Sequence, residues 1–374
     1  MYDNIIKFRQ DLHQIPELAF DLYKTHDYVV HTLKDMGYSP IIMAKTGVVV
    51  VKEGISKKAL LFRTDMDALP VLEKTERSFQ SKHVGKMHAC GHDGHMAMML
   101  SFAHYVSTLE NPKKTIVMIF QPAEEGPGGA KVMIDEGLFK MFDIEASFGI
   151  HLYPHLEEGL YGLTKGPMLA QNGEFDFTIL GKSAHGAKPD QGHDAILATS
   201  FLINAYQSII SRKLDPIESG VITVGTIKGG EARNIIASEV HISGTMRAFT
   251  EPIYHHLKHE ITKINHSISS MFDVNIKGDI IDYYPPVIND HQLFDQLVDS
   301  LDSSAYQLLK PMTFSEDFAF YQKMVPGLFV MLGTKNEKKG FIHPLHSCYF
   351  DFDESVLIKG VELYQLLLTI HNVI

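Results

Sequence analysis

Hydrophobic and polar positions along the chain follow one rhythm up to about Gly173, another as far as about Tyr284, and then the first again. Residues 5–33 mix apolar and polar side chains at helical spacing, with a break at Pro16. After them, short aliphatic or β-branched runs alternate with longer amphipathic stretches. Residues 48–52, 59–62, 115–120 and 146–150 read as buried strands, and 96–109 reads as a helix. That alternation predicts an α/β domain with a substantially parallel sheet.

The second rhythm begins at 174–180, which alternates like a half-exposed strand. A long amphipathic helix is expected over 194–211, strands over 220–227 and 240–249, a second helix over 252–272 and a last strand over 273–284. Strand-helix-strand-strand-helix-strand in about 110 residues makes a compact α+β unit, with helices on one face of a mainly antiparallel sheet. From 285 the earlier pattern returns, with 327–332 as another buried strand. The expectation is a larger domain, 1–173 with 285–374, interrupted by a smaller one, 174–284. A length of 374 residues agrees with two cores rather than one.

Chemistry-bearing residues gather where the expected strands end. Residues 59–62 are followed by Arg63-Thr64-Asp65-Met66-Asp67, 115–120 by Gln121-Pro122-Ala123-Glu124-Glu125-Gly126, and 146–150 by His151. A loop after 327–332 carries His343-Pro344-Leu345-His346, and His88-Ala89-Cys90-Gly91-His92-Asp93-Gly94-His95 leads into the expected helix at Met96. Ligands of open parallel sheets bind at the carboxyl ends of strands, so these groups should surround one crevice. Gly91 lets Cys90 and His92 turn toward one point. Thiolate, imidazole and carboxylate together suit zinc or another divalent transition metal rather than magnesium or calcium. Adjacent Glu124 and Glu125 should not point the same way, so one is expected to bind metal while its neighbour faces water, a common division in metal-assisted hydrolysis. A Cys-Gly-His triplet, a glutamate pair or a single histidine is ordinarily incidental, but five such elements at strand ends are not. His255, His256, His259 and His266 are read as solvated helix-face residues.

Charge and composition remove several function classes. A formal net charge of −11 argues against nucleic acid or an anionic membrane surface as partner. Apolar runs such as 115–120 fall far short of a membrane span. Met1-Tyr2-Asp3-Asn4 opens no basic-then-apolar leader, so a cytoplasmic location is expected. Two cysteines, Cys90 and Cys348, can form neither a disulfide framework nor a four-cysteine zinc site.

Taken together, these stretches resemble the amidohydrolase branch (subfamily D) of peptidase family M-twenty, which includes hippurate hydrolase, bacterial aminoacylases, N-acetyldiaminopimelate deacetylase and plant auxin-conjugate hydrolases. The similarity runs almost end to end, through Arg9-Gln10-Asp11-Leu12-His13 with Pro16-Glu17-Leu18, then 63–70, 87–95, 121–129, 149–153, 181–189, 225–237, 244–249, 315–318 and 344–347. It implies an α/β dinuclear metallopeptidase (phosphorylase/hydrolase-like) catalytic domain with an inserted α+β ferredoxin-like lid domain. It also implies two divalent metal ions per subunit, for which zinc, manganese, cobalt and nickel all remain open. Their implied ligands are Cys90, His92, Glu125, His151 and His346, with Cys90 as a bridge.

By the same resemblance, Glu124 corresponds to the general base, which takes a proton from the attacking water and later protonates the leaving amine. Asp67 corresponds to an aspartate that orients a ligating imidazole. The wider family has a metal-binding histidine where this chain has Asp65; the branch uses the Cys-Gly-His loop instead, so Asp65 is assigned no ligand role. In the inserted domain His185 matches a histidine that polarises the substrate carbonyl. In dimeric relatives that histidine comes from the partner's lid, so a homodimer through the lid is expected. Asn234 and Arg247 match substrate contacts, and Arg247 is the candidate for an α-carboxylate, a surface salt bridge being its alternative. The implied reaction on this small-molecule substrate is hydrolysis of an N-acyl-L-amino acid to a carboxylate and a free amino acid. A dipeptidase or carboxypeptidase on the same centre is the alternative. Pro344-Leu345-His346-Ser347 looks more like general aminoacylases than diaminopimelate deacetylases, and Cys348 stands where relatives commonly carry proline.

Overall fold

The computed structural model describes residues 4–374. They divide into two compact units, the first running to Gly166 and taking in Ile288–Lys310 and Asp317–Ile374, the second made of Pro167–Val287 with Pro311–Glu316. The second unit is wider than 174–284. The first strand of its four-stranded sheet begins at Gln171, and the returning segment is held by the Ala170 N–H, which donates to the carbonyls of Met312 and Phe314 at 3.2 and 3.0 Å.

The first unit is built on an eight-stranded sheet in the order Ile41–Met43, Gly47–Lys52, Lys114–Gln121, Ser56–Asp65, Asp143–Glu157, Gly327–Lys335, Tyr161–Leu163, Tyr306–Leu308. Its four middle strands run parallel, from Lys114–Gln121 across to Gly327–Lys335. They are apolar on both faces, as strands covered on both sides must be: Leu60, Leu61, Phe62 and Ile116 to Phe120 are all fully buried. The helix His92–Ser107 packs against Ile5–His13 and Leu357–Ile370 and buries Met96 to Leu100 completely. A helix apolar all round belongs inside a core.

Two of the boundaries that differ from expectation bear on the site. The helix starts at His92 rather than Met96, so His92 and His95 occupy its first turn. The strand expected to end at Ile150 continues to Glu157, so His151 projects from inside a strand rather than following one. Its pairing with Gly327–Lys335, which places Met331 opposite His151 and Leu332 opposite Leu152, sustains that extension.

A buried ion cluster ties the first helix to the third. Arg9 donates Nε to Asp93 Oδ2 at 2.9 Å and Nη2 to Asp351 Oδ1 at 2.7 Å, with its guanidinium 4.8 Å from the Phe79 ring centre and 4.3 Å from that of Phe352. His13 Nδ1 reaches the same Asp93 Oδ2 at 2.8 Å, and its Nε2 reaches Glu73 at 3.1 Å. Burial alone would push the Asp93 carboxyl up, but Arg9 and His13 hold it far below the usual range. Arg9→Met removes the main counter-charge and leaves a buried carboxylate, so the unfolding free energy from urea denaturation should fall by about 3–5 kcal/mol. A loss below about 1 kcal/mol would mean that His13 alone neutralises Asp93.

The second unit carries a four-stranded antiparallel sheet in the order Asn275–Asp282, Gln171–Leu180, Glu239–Ala248, Gly220–Gly229. Helices Ala195–Arg212 and Glu251–Phe272 pack on each other and on the sheet, around Phe175, Ile179, Leu202, Tyr206, Ile242 and Leu257. With the strands numbered along the chain, the order 4-1-3-2 is that of a ferredoxin-like unit. Among the described residues, no helix is long and apolar enough to cross a membrane.

Candidate metal centre

Three segments of the first unit join His151, on the strand Asp143–Glu157, in bringing the candidate ligands together. Gly91 takes φ +84° at the N-cap of the His92 helix, a conformation that glycine adopts without penalty, and this turn carries Cys90 and His92. After the strand Lys114–Gln121, Ala123 sits at φ +58° and the amides of Gly128 and Gly129 return to its carbonyl at 3.0 and 3.1 Å. A Cβ on Gly129 would lie 1.8 Å from the Pro122 carbonyl oxygen, so only glycine allows this turn to close. Asp67 fixes it from outside: Oδ1 accepts the Glu124 N–H at 2.9 Å and Oδ2 the Glu125 N–H at 3.0 Å. The third segment is the loop carrying His346, whose amide donates to the Ala89 carbonyl at 2.8 Å.

The ligand atoms form overlapping triplets in which all members lie within 4.8 Å of one another. Cys90, His92 and His151 make one; Cys90, Glu125 and His346 make a second; His92, Glu124 and Glu125 make a third. Cys90 belongs to the first two. Both glutamates reach His92, so the expectation that neighbours point apart needs correction. The tight turn at Ala123 brings the two carboxylates to one histidine, and only Glu125 goes on to meet Cys90 and His346. Asp67 lies between the glutamate turn and the His92 ring. Its oxygens are taken by the two glutamate amides, and His92 Nδ1 stands 3.7 Å away.

The donor set suits a cation. His92 is fully buried, yet among the described residues neither ring nitrogen has a hydrogen-bond partner, and Glu125 Oε1 faces only His346 Nε2, at 3.3 Å. Such buried orphans cost about 1–3 kcal/mol each. Burial acts to lower the His92 pKa, but Asp65, Asp67 and Glu125 overcome it and raise the ring to about 10. Burial, and then Glu125, Glu124 and Asp65, push the Cys90 thiol well above its ordinary value. The cluster therefore demands positive charge, and a cation beside Cys90 is what would let its thiolate form. His151 donates Nδ1–H to the Leu152 carbonyl at 2.7 Å, which leaves the Nε2 lone pair facing Cys90 Sγ at 3.5 Å.

His185, Asn234 and Arg247 lie in the second unit. His185 is exposed, pairs as an isolated bridge with Ile235, and accepts the Ala187 N–H on Nδ1 at 3.1 Å. Asn234 is its exposed neighbour, through the Gly186 N–H donated to the Asn234 carbonyl at 2.8 Å. Arg247 gives Nη1 to the Thr313 carbonyl at 3.0 Å and makes no ion pair among the described residues.

Two residues beside the centre received no role from the sequence, Asp65 and His95. Both are buried, and they join at 2.7 Å. The available signal was spacing: His92 and His95 share a face only once the helix is started at His92.

Residues 61–370 match the model of Peptidase family M20/M25/M40. An uncharacterized hydrolase of Staphylococcus aureus (strain MRSA252) is 35% identical over 371 residues, covering 97% of each chain. The N-acetyldiaminopimelate deacetylase of Leuconostoc citreum (strain KM20) is 36% identical over 370 residues, 96% of this chain and 94% of that one. The crystal structure of a dinuclear metal-binding M20 peptidase from Bacillus subtilis matches with a TM-score of 0.86 at 28% identity, covering 99% of this chain and 98% of that one.

Proposed function

The chain belongs to peptidase family M20/M25/M40, and from that premise we propose that it hydrolyses the amide bond of N-acyl-L-amino acids, releasing a carboxylate and a free amino acid. The observation that carries this reading is the pair of donor triplets sharing Cys90, with Glu124 joined to them through His92. Cys90, His92 and His151 would hold one divalent ion, and Cys90, Glu125 and His346 a second. Two such ions, when bound, polarise the scissile carbonyl and bring the pKa of a water near 7.

The chain's own groups do the rest. Glu124, held by Asp67 through its backbone, takes a proton from the attacking water and delivers it to the amide nitrogen. The new C–O bond forms, the C–N bond breaks, and the amine departs neutral. Because His185 Nδ1 accepts a backbone N–H, its ring proton sits on Nε2, the donor that a developing oxyanion needs. Arg247, with no carboxylate of its own, is assigned to the substrate's α-carboxylate, and Asn234 to a neighbouring polar contact. The lid is proposed as the surface of a homodimer.

The test is turnover of the metal-loaded protein on N-acetyl amino acids, N-acetyldiaminopimelate, N-benzoylglycine and dipeptides. Free amino acid should be released from the acylated compounds. Cleavage of dipeptides alone would replace this reading with a dipeptidase, and release from none would sink it.

A further inference from the structure

We propose that Asp65 and His95 are positioning residues that set the His151 ring through the backbone of Leu152, and are not themselves metal ligands. The inference rests on the reading of His151 as a ligand.

A chain of hydrogen bonds runs from the sheet interior to that ring, and every donor in it is determined. Arg63, fully buried, gives Nε to Gln121 at 3.0 Å, Nη2 to Asp317 Oδ1 at 2.8 Å and Nη1 to Asp65 Oδ2 at 2.7 Å. Asp317 is fixed in turn by the Ala130 N–H at 2.9 Å and the Gln121 amide. Asp65 Oδ1 meets His95 Nδ1 at 2.7 Å, and His95 Nε2 accepts the Leu152 N–H at 2.9 Å. Since a backbone N–H can only donate, the His95 proton must sit on Nδ1 and point at Asp65. On the next peptide the Leu152 carbonyl accepts from His151 Nδ1, which turns the His151 Nε2 lone pair toward Cys90. The His95 and His151 rings also pack edge to face, 4.6 Å between centres.

Asp65, His92 and His95 do lie close enough to resemble another donor triplet. Both ring nitrogens of His95 and both oxygens of Asp65 are already committed, whereas among the described residues neither nitrogen of His92 has a hydrogen-bond partner. A ring nitrogen without a partner is open to a metal, and a lone pair already taken by a backbone N–H is not. Asp65 and His95 stand one bond further out, where such partners fix tautomer and ring orientation.

The substitutions separate the links. Asp65→Asn must turn its amide N–H toward either Arg63 or His95, setting donor against donor. His95→Phe keeps the ring packing and neither hydrogen bond, while His95→Gln can still accept from Leu152. Metal-stripped wild type and variants would be titrated with cobalt(II) against a chromogenic chelator. The readouts are affinity and the thiolate-to-cobalt charge-transfer band of Cys90, with thermal unfolding of the same metal-free samples alongside. Asp65→Asn and His95→Phe should bind cobalt about 10–100-fold more weakly with an altered band, and His95→Gln should recover most of the affinity. Wild-type affinity in Asp65→Asn and His95→Phe, or a loss that merely follows the unfolding midpoints, overturns the proposal. If too little His95→Phe folds, Asp65→Asn against His95→Gln makes the same comparison. Wild type that binds no cobalt refutes the metal reading itself; wild type that binds, with unchanged variants, refutes only the positioning role.

Discussion

Replacing Glu124 with glutamine should lower kcat by about 10³-fold while the metal content stays as in the wild type. Glutamine has the size of glutamate, and the backbone N–H at position 124 would still be held by Asp67 at 2.9 Å, so the turn is preserved. The two triplets that share Cys90 do not contain Glu124, so both keep their donors. What disappears is the proposed proton carrier between water and nitrogen. The loss should therefore appear in kcat with little change in KM. Metal analysis with steady-state kinetics checks both halves. Turnover within a few-fold of wild type would remove Glu124 from the reaction, and loss of metal would make it a ligand instead.

Stripping the protein with a chelator should abolish turnover and lower its unfolding midpoint, and resupplying zinc, manganese, cobalt or nickel should restore both. Cys90, Glu124, Glu125, Asp65, Asp67 and His92 are packed together beneath the surface with His92 as a close source of positive charge. A bound cation relieves carboxylate repulsion and takes the lone pair of one orphaned His92 nitrogen. Metal in free excess at 100 to 1,000 times its dissociation constant would stabilise the fold by about 2.7–4.1 kcal/mol. Scanning calorimetry with and without metal reads this directly. A stripped protein with unchanged midpoint and full turnover would contradict the metal reading.

The apolar rhythm carried most of the architecture because a parallel sheet covered on both faces writes itself as short aliphatic runs. Residues 59–62 and 115–120 fall inside the strands Ser56–Asp65 and Lys114–Gln121. The family resemblance supplied the candidate ligands. Local pattern failed where distant pairing decides. Nothing near Leu152-Tyr153-Pro154 announces a strand, since proline ordinarily argues against one; the partner that sustains it lies at 327–335. Glycine and aspartate read as loop, which hides the first helical turn at His92 from local pattern. The bond from Arg9 to Asp93 spans 84 positions, and that from Arg63 to Asp317 spans 254, distances that no periodicity reports. Asp65 illustrates the limit. Its residue type permits a ligand, and only the two occupied oxygens show it to be engaged elsewhere.

The place of Gly327–Lys335 in the middle of the sheet sets a timetable for biogenesis. A ribosome delivers Asp143–Glu157 long before the strand that must lie beside it. At about 5–20 residues per second the wait is on the order of ten to thirty seconds. Throughout that interval an apolar strand offers an unpaired edge, the surface on which nascent chains stick to one another. The four-stranded unit is complete by Asp282, apart from its short return segment, and can fold meanwhile. His346 emerges later still, so the metal centre is among the last features of the molecule to come into being.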